Sequence, residues 1–162
     1  MIPPATPEDE DKRLLALCAL KLLDTPPDER FDRITLLAQR TFGVKMALVS
    51  LIDEHRQWFK SKQGIDATEA PRETSFCGHA ILSDEPLIVL DAAKDPRFAD
   101  NPFVTGEPYV RFYAGWPLKA PDGSRVGTLC IIDDKPREFG AEHRRALRDM
   151  AGIVQDFFRT AP

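Results

Sequence analysis

Apolar positions along the chain follow two different periods. In Glu8 to Leu23, the residues Leu14, Leu15, Leu17, Cys18, Leu22 and Leu23 form a broad stripe behind a charged start, which predicts a helix. Asp24-Thr25-Pro26-Pro27 ends it, because the residue before a proline avoids the helical region. A second helix begins at Thr25 or at Pro27-Asp28. Phe31, Ile34, Leu37, Ala38 and Phe42 recur at helical spacing, and Gly43 stands where a helix stops. A last helix, Gly140 to Arg159, gathers Leu147, Met150, Ala151, Val154, Phe157 and Phe158 on one face. Arg144, Arg145, Arg148, Asp149 and Gln155 take the other.

Between these helices the period shortens. Met46 to Ile52 is almost continuously apolar, which predicts a strand covered on both faces. Asp53-Glu54-His55 turns the chain into Arg56 to Gln63, where alternation puts Gln57, Phe59 and Ser61 on one face and Trp58, Lys60 and Lys62 on the other. Gly64 to Arg72 reads as loop. Thr74 or Ser75 caps a short helix over Phe76 to Leu82, and Leu87 to Leu90 is a short strand. Asp95-Pro96 and Asn101-Pro102 each pair a capping residue with proline at the first helical position, which predicts one or two single-turn helices. Tyr109 to Leu118 and Arg125 to Asp133 are strands joined by the turn Pro121-Asp122-Gly123-Ser124. Hairpin joints imply an α+β fold on a central antiparallel sheet. Its terminal helices pack on one face, and residues 74–106 form a lid over a pocket on the other.

Composition narrows the function classes. At 162 residues the chain reads as one domain spanning 9–160 behind a flexible tail, 1–8. A net charge of −4 without clustered Lys and Arg argues against a nucleic-acid partner. No apolar run is long enough to span a bilayer, and the Pro- and acid-rich start is no secretion signal, so the expected location is cytoplasmic, without membrane contact. Cys18, Cys77 and Cys130 are odd in number and lack paired metal-site spacing. Cys18 and Cys130 read as small core residues.

The words filling this order resemble the GAF domain family of small-molecule sensors, in the bacterial branch attached to sensor histidine kinases and diguanylate cyclases. They are Leu23-Asp24-Thr25-Pro26, Phe31-Asp32, Ala47 to Asp53, Arg56 to Ser61, Ser75-Phe76-Cys77-Gly78-His79-Ala80-Ile81, Asp95 to Pro102, Arg111 to Leu118 and Gly127 to Asp133. The resemblance implies six antiparallel strands, a pocket in front, and a homodimer whose terminal helices signal to an output domain or partner protein. It leaves the ligand and any cofactor open, because one scaffold hosts many chemistries.

Aromatic residues gather around the lid, and His79 and Arg111 are polar groups able to converge on a ligand. Trp58, Phe76, Cys77, His79, Phe98, Phe103, Arg111 and Tyr113 are therefore the candidate ligand-binding set. Its bland counterpart is that aromatics simply fill cores. Cys77 and His79 stand two apart, which points them to different sides of a helix, so no metal site is expected. The Cys77-Gly78 step also resembles the lid of free methionine-R-sulfoxide reductases. Those enzymes use a further cysteine in the next loop, and Pro96 to Tyr113 has none, leaving a sulfenic acid on Cys77 without a resolving partner. Signatures of bilin and cyclic-nucleotide binding are incomplete. On the terminal helices, Leu14, Leu15, Leu22, Val154, Phe157 and Phe158 exceed what one stripe needs and form the candidate dimer interface. The expectation is a sensor that is not an enzyme; a thiol enzyme using Cys77 and a ligand-free dimerisation module are the rivals.

Overall fold

The computed structural model describes residues 1–159. Its elements are α1 (Glu10–Ala19), α2 (Glu29–Phe42), β1 (Met46–Ile52), β2 (Arg56–Gln63), β3 (Glu69–Pro71), α3 (Phe76–Ala80), β4 (Leu87–Val89), α4 (Pro102–Thr105), β5 (Phe112–Lys119), β6 (Arg125–Asp133) and α5 (Ala141–Phe157). The strands make one six-stranded sheet in the order β3-β2-β1-β6-β5-β4, every neighbouring pair antiparallel. β3 falls in a segment read from sequence as loop. It is short, polar and ends in proline, the make-up of an edge strand and not of an amphipathic one.

Both faces of the sheet are covered. On the back, Phe31, Ile34 and Ala38 of α2 and Leu147, Ala151 and Val154 of α5 pack on Val49, Leu51, Leu129 and Ile131. On the front, Phe76, Ile81, Phe98 and Val104 of the lid pack on Leu48, Ile52, Phe59 and Tyr113. This double coverage explains why every residue of β1 is buried. Asp28 caps α2 by accepting from Arg30 N at 2.9 Å, and Gly43 ends it with φ 62°, a left-handed value that glycine takes without a side-chain clash.

Two sequence expectations fail here for geometric reasons. α1 ends at Ala19, short of Leu23, and its Arg13 and Leu17, four apart, take the inward face. That turns Leu15 and Cys18, three apart, to solvent, with Leu15 73% exposed, so Cys18 is not a core residue. In β2 the register against β1 jumps, with Val49 opposite Ser61 and Ser50 opposite Phe59. Lys60 is the extra residue of a bulge, and past it every side chain changes face. Gln57 and Phe59 stay in front, but Ser61 points back, where Ser61 Oγ donates to Asp32 Oδ1 at 2.6 Å and lies 2.8 Å from Thr35 Oγ1. Among the described residues no helix is long and apolar enough to cross a membrane.

Candidate functional site

The lid is built from short, capped pieces. Ser75 Oγ accepts from Gly78 N at 2.9 Å and donates to Arg72 O at 2.7 Å, fixing the start of α3 and its approach to the sheet. Phe76 stacks on Phe98 with ring centroids 4.2 Å apart. Asn101 caps α4 through its Oδ1, which accepts from Phe103 N at 2.9 Å, and its Nδ2 reaches Thr74 O at 3.0 Å, so one side chain ties the two lid helices together. Under this roof lies a hollow of about 80 Å³, lined chiefly by Leu48, Phe59, Phe76, Phe103, Val110 and Ile132. Gln57, Cys77 and Tyr113 supply polar atoms, and among the described residues no charged side chain reaches the lining. Gln57 is 8% exposed, and its Oε1 is buried without a hydrogen-bond partner among the described residues.

Cys77 hangs from α3 into a polar cluster on the front of the sheet. Tyr113 OH and Thr128 Oγ1 each donate to Cys77 Sγ at 3.1 Å, with Ser50 Oγ at 3.7 Å and Cys130 Sγ at 3.8 Å. Tyr113 reaches the thiol because its ring lies along β5 over Gly115; a Cβ there would come within 2.2 Å of the hydroxyl. Burial pushes the Cys77 thiol up, but the bonds with Cys130, Thr128 and Tyr113 outweigh it and hold Cys77 down at about 7. Burial pushes Cys130 and Tyr113 up, and the neighbouring Cys77 adds to this, so both stay protonated.

A second polar cluster joins the root of the lid to α1. Arg72 Nη1 donates to Glu10 Oε2 at 2.5 Å and to Asp53 O at 3.1 Å, while Arg13 Nε bonds Glu10 Oε1 and Arg13 Nη1 bonds Ile52 O, each at 2.6 Å. Burial works against the Glu10 carboxylate, yet Arg13 and Arg72 together lower it to about 2. The residues before Glu10, read from sequence as a tail, cross the lid, where Ile2 N donates to Arg97 O and Ile2 O lies 2.8 Å from His79 Nε2. A larger hollow of about 560 Å³ opens beside this segment, its lining charged by Glu10, Asp11, Glu54, Arg72 and Glu73. It is a polar surface groove, whereas the lid hollow is apolar with isolated polar groups.

A sequence profile of the GAF domain matches residues 26–155. The chain belongs to the GAF domain family. Over 159 residues this GAF domain is 46% identical to a cyclic di-GMP phosphodiesterase of Pseudomonas aeruginosa, covering 98% of the chain but 26% of that protein. Its fold is similar to the GAF domain of an Acinetobacter phosphoenolpyruvate-protein phosphotransferase (TM-score 0.65, 14% identity, covering 91% of this chain and 93% of that one). It is also similar to the free methionine-R-sulfoxide reductase of Neisseria meningitidis (TM-score 0.66, 17% identity, covering 98% of this chain and 95% of that one).

The GAF domain brings together half of the residues singled out from sequence. Phe76, Cys77, Phe103 and Tyr113 line the hollow. Trp58 packs in the back core, because its neighbour Gln57 takes the front position. Phe98 supports Phe76 from behind, and His79 faces the N-terminal segment, its ring edge-on to Phe98. Arg111 Nη1 is spent on Val104 O and Val110 O, at 2.8 and 3.0 Å, and braces the lid backbone. At the terminal helices, Leu22, Val154 and Phe158 are buried within the chain's own back core, Phe157 packs edge-on against Phe31, and Leu14 is half-buried. Leu15 faces outward, as do Leu37 and Ile153. Sequence reasoning missed Gln57 as a pocket residue and Cys130 as the thiol beside Cys77. The alternation of Thr128, Cys130 and Ile132 in β6 was the available signal for the latter.

Proposed function

We propose that this GAF domain is a non-enzymatic sensor. A small uncharged molecule carrying a hydrogen-bond donor occupies the hollow under the lid, and the terminal helices pass its occupancy to an output domain or partner. The observation that carries this reading is Gln57 Oε1. A buried amide oxygen without a donor costs roughly 1–3 kcal/mol. In an otherwise apolar wall it marks the place and polarity of the group that would relieve it. Among the described residues no cation lines the hollow, which argues against an anionic ligand. The cyclic dinucleotide in the relative's name is far larger than the hollow and carries two phosphates. It suits the substrate of an output domain, and the 46% identity supports an output of that kind.

Signal transfer follows from the cluster at the lid root. Arg72, which precedes α3, shares Glu10 with Arg13, so a ligand that shifts the lid acts on α1 through one partly buried carboxylate. The shift is as large as the ligand's differential affinity for the two lid positions, and no larger. Pairing of two copies through the outward faces of the terminal helices, where Leu15, Leu37 and Ile153 are exposed, gives such a shift a second chain to act upon. Thermal melting against a panel of small uncharged amides and alcohols tests the reading. A binder raises the melting temperature of the wild type and not of Gln57→Leu. Equal shifts in the two proteins would remove Gln57 from the site, and a wild type indifferent to the whole panel would count against the hollow as a ligand site.

A further inference from the structure

We propose that Cys77 and Cys130 are an oxidisable dithiol, which a small hydroperoxide entering the lid hollow converts to a disulfide that pins the lid to the central sheet. Cys77 lies in the wall of the hollow and its Sγ is 3.8 Å from that of Cys130. The two thiols come from α3, in the lid, and β6, in the middle of the sheet. A resolving cysteine is absent from the loop that follows the lid helix, but β6 supplies one from beneath. This inference goes beyond the sensor reading and does not need a regulatory ligand in the hollow.

The steps balance with one hydroperoxide as oxidant. The Cys77 thiolate attacks a peroxide oxygen; the S–O bond forms as the O–O bond breaks, and the departing oxygen leaves with a proton as an alcohol, or as water when the oxidant is hydrogen peroxide. The Cys130 sulfur then attacks the sulfenic sulfur. Its proton leaves with the hydroxide as water, and the S–S bond replaces the S–O bond. Two thiols are oxidised by two electrons, and one O–O bond is reduced.

The surroundings suit these steps. Tyr113 OH and Thr128 Oγ1, each 3.1 Å from Cys77 Sγ, stabilise the thiolate and can donate to the departing oxygen. Among the described residues the titratable groups facing Cys77 are Cys130 and Tyr113, both held protonated, and the hollow brings no charged side chain near. Size selects the oxidant. About 15 Å³ suffices for one water, so a hollow of about 80 Å³ admits a molecule of a few atoms and excludes a tripeptide disulfide.

The test uses the 162-residue chain carrying Cys18→Ser, which removes the exposed thiol. Hydrogen peroxide should remove two hydrogen masses from the intact protein, yield a linked Cys77–Cys130 peptide, and be reversed by dithiothreitol. Oxidised glutathione should react far more slowly. Oxygen addition without a linked peptide overturns the proposal, and equal reactivity towards oxidised glutathione overturns the route through the hollow. In a further Cys130→Ser variant, dimedone should trap a sulfenic acid on Cys77. The linked peptide from Cys18→Ser protein decides the matter even if that variant does not fold. Tyr113→Phe should slow oxidation at neutral pH roughly tenfold, the worth of one hydrogen bond to a charged group. It should also move the pH profile of the rate upward, which a merely structural role would leave in place.

Discussion

The two faces of the sheet are covered by layers made in different ways. Behind it, α2 and α5 lay long apolar stripes on β1, β5 and β6, with Phe31 wholly buried and edge-on to Phe157 at 5.3 Å. In front, helices of one turn or little more are held by caps and backbone bonds, and they roof a hollow whose walls include an unpaired amide oxygen and the Cys77 thiol, with Cys130 behind it. The back layer maximises contact, since close packing there contributes stability without competing demands. The front layer leaves space and buried polar groups in place, each at some cost to stability. A domain that kept only its stability would fill this side as it fills the other. That contrast is the ground for proposing function in front and scaffold behind.

Truncation on each face is the most severe way to test that contrast. Phe31→Ala should cost about 3–5 kcal/mol, because Phe31 is wholly buried in the back core and its loss leaves a cavity there. The melting temperature should fall on the order of 10 °C. Phe103→Ala, at the rim of the hollow and half-buried, should cost about 1–2 kcal/mol. Equal losses, read by calorimetry, would mean that the lid is packed as tightly as the back core.

The joint between the layers comes next. Glu10 is held at about 2 instead of 4.5, so its contribution is complete above the ordinary carboxylate range and fades as pH falls from about 5 towards 2. After discounting for solvent screening at the groove, that contribution is about 1–2 kcal/mol. Glu10→Gln should be less stable than the wild type at neutral pH and should show a flatter acid limb, the two curves converging near pH 2. Parallel curves in urea titrations across that range would place the acid sensitivity elsewhere.

Gln57→Leu predicts a smaller effect of the opposite sign. Replacing an unpaired buried amide by a side chain of similar shape removes a desolvation cost, so the ligand-free protein should gain up to about 1 kcal/mol. A clear loss of stability in chemical denaturation would show that the oxygen is already satisfied, and the front layer would then look more like the back.

The contrast was only half legible in the sequence. Helical spacing marked the inward stripes of α2 and α5, the apolar run of Met46 to Ile52 announced a strand covered twice, and Asp122-Gly123 placed the last hairpin. These signals are local and periodic. The front layer depends instead on events between segments. The bulge at Lys60 leaves no mark in composition, yet it decides that Ser61 points back while Gln57 stays in front. Cys130 looked like one more apolar strand residue, and its meeting with Cys77 needed α3 to be laid across β6. Arg13 looked like part of a charged helix start, but Ile52 O and Glu10 accept its bonds in a buried position.

The smallest expected effect concerns the outer surface of the back layer. Val154 and Phe158 are occupied within the chain, so substituting them would confound association with folding. Leu15, 73% exposed on α1, and Ile153, 42% exposed on α5, are with Leu37 of α2 apolar residues free to meet a second copy. Leu15→Glu with Ile153→Glu should change stability by less than about 0.5 kcal/mol, as exposed substitutions do. It should nevertheless turn a dimer into a monomer in sedimentation equilibrium, because a charge on each partner is then buried unpaired at the seam. A wild type that sediments as a monomer at every concentration would leave the terminal helices as scaffold alone, and signal transfer would have to run within one chain, through Glu10 and Arg72.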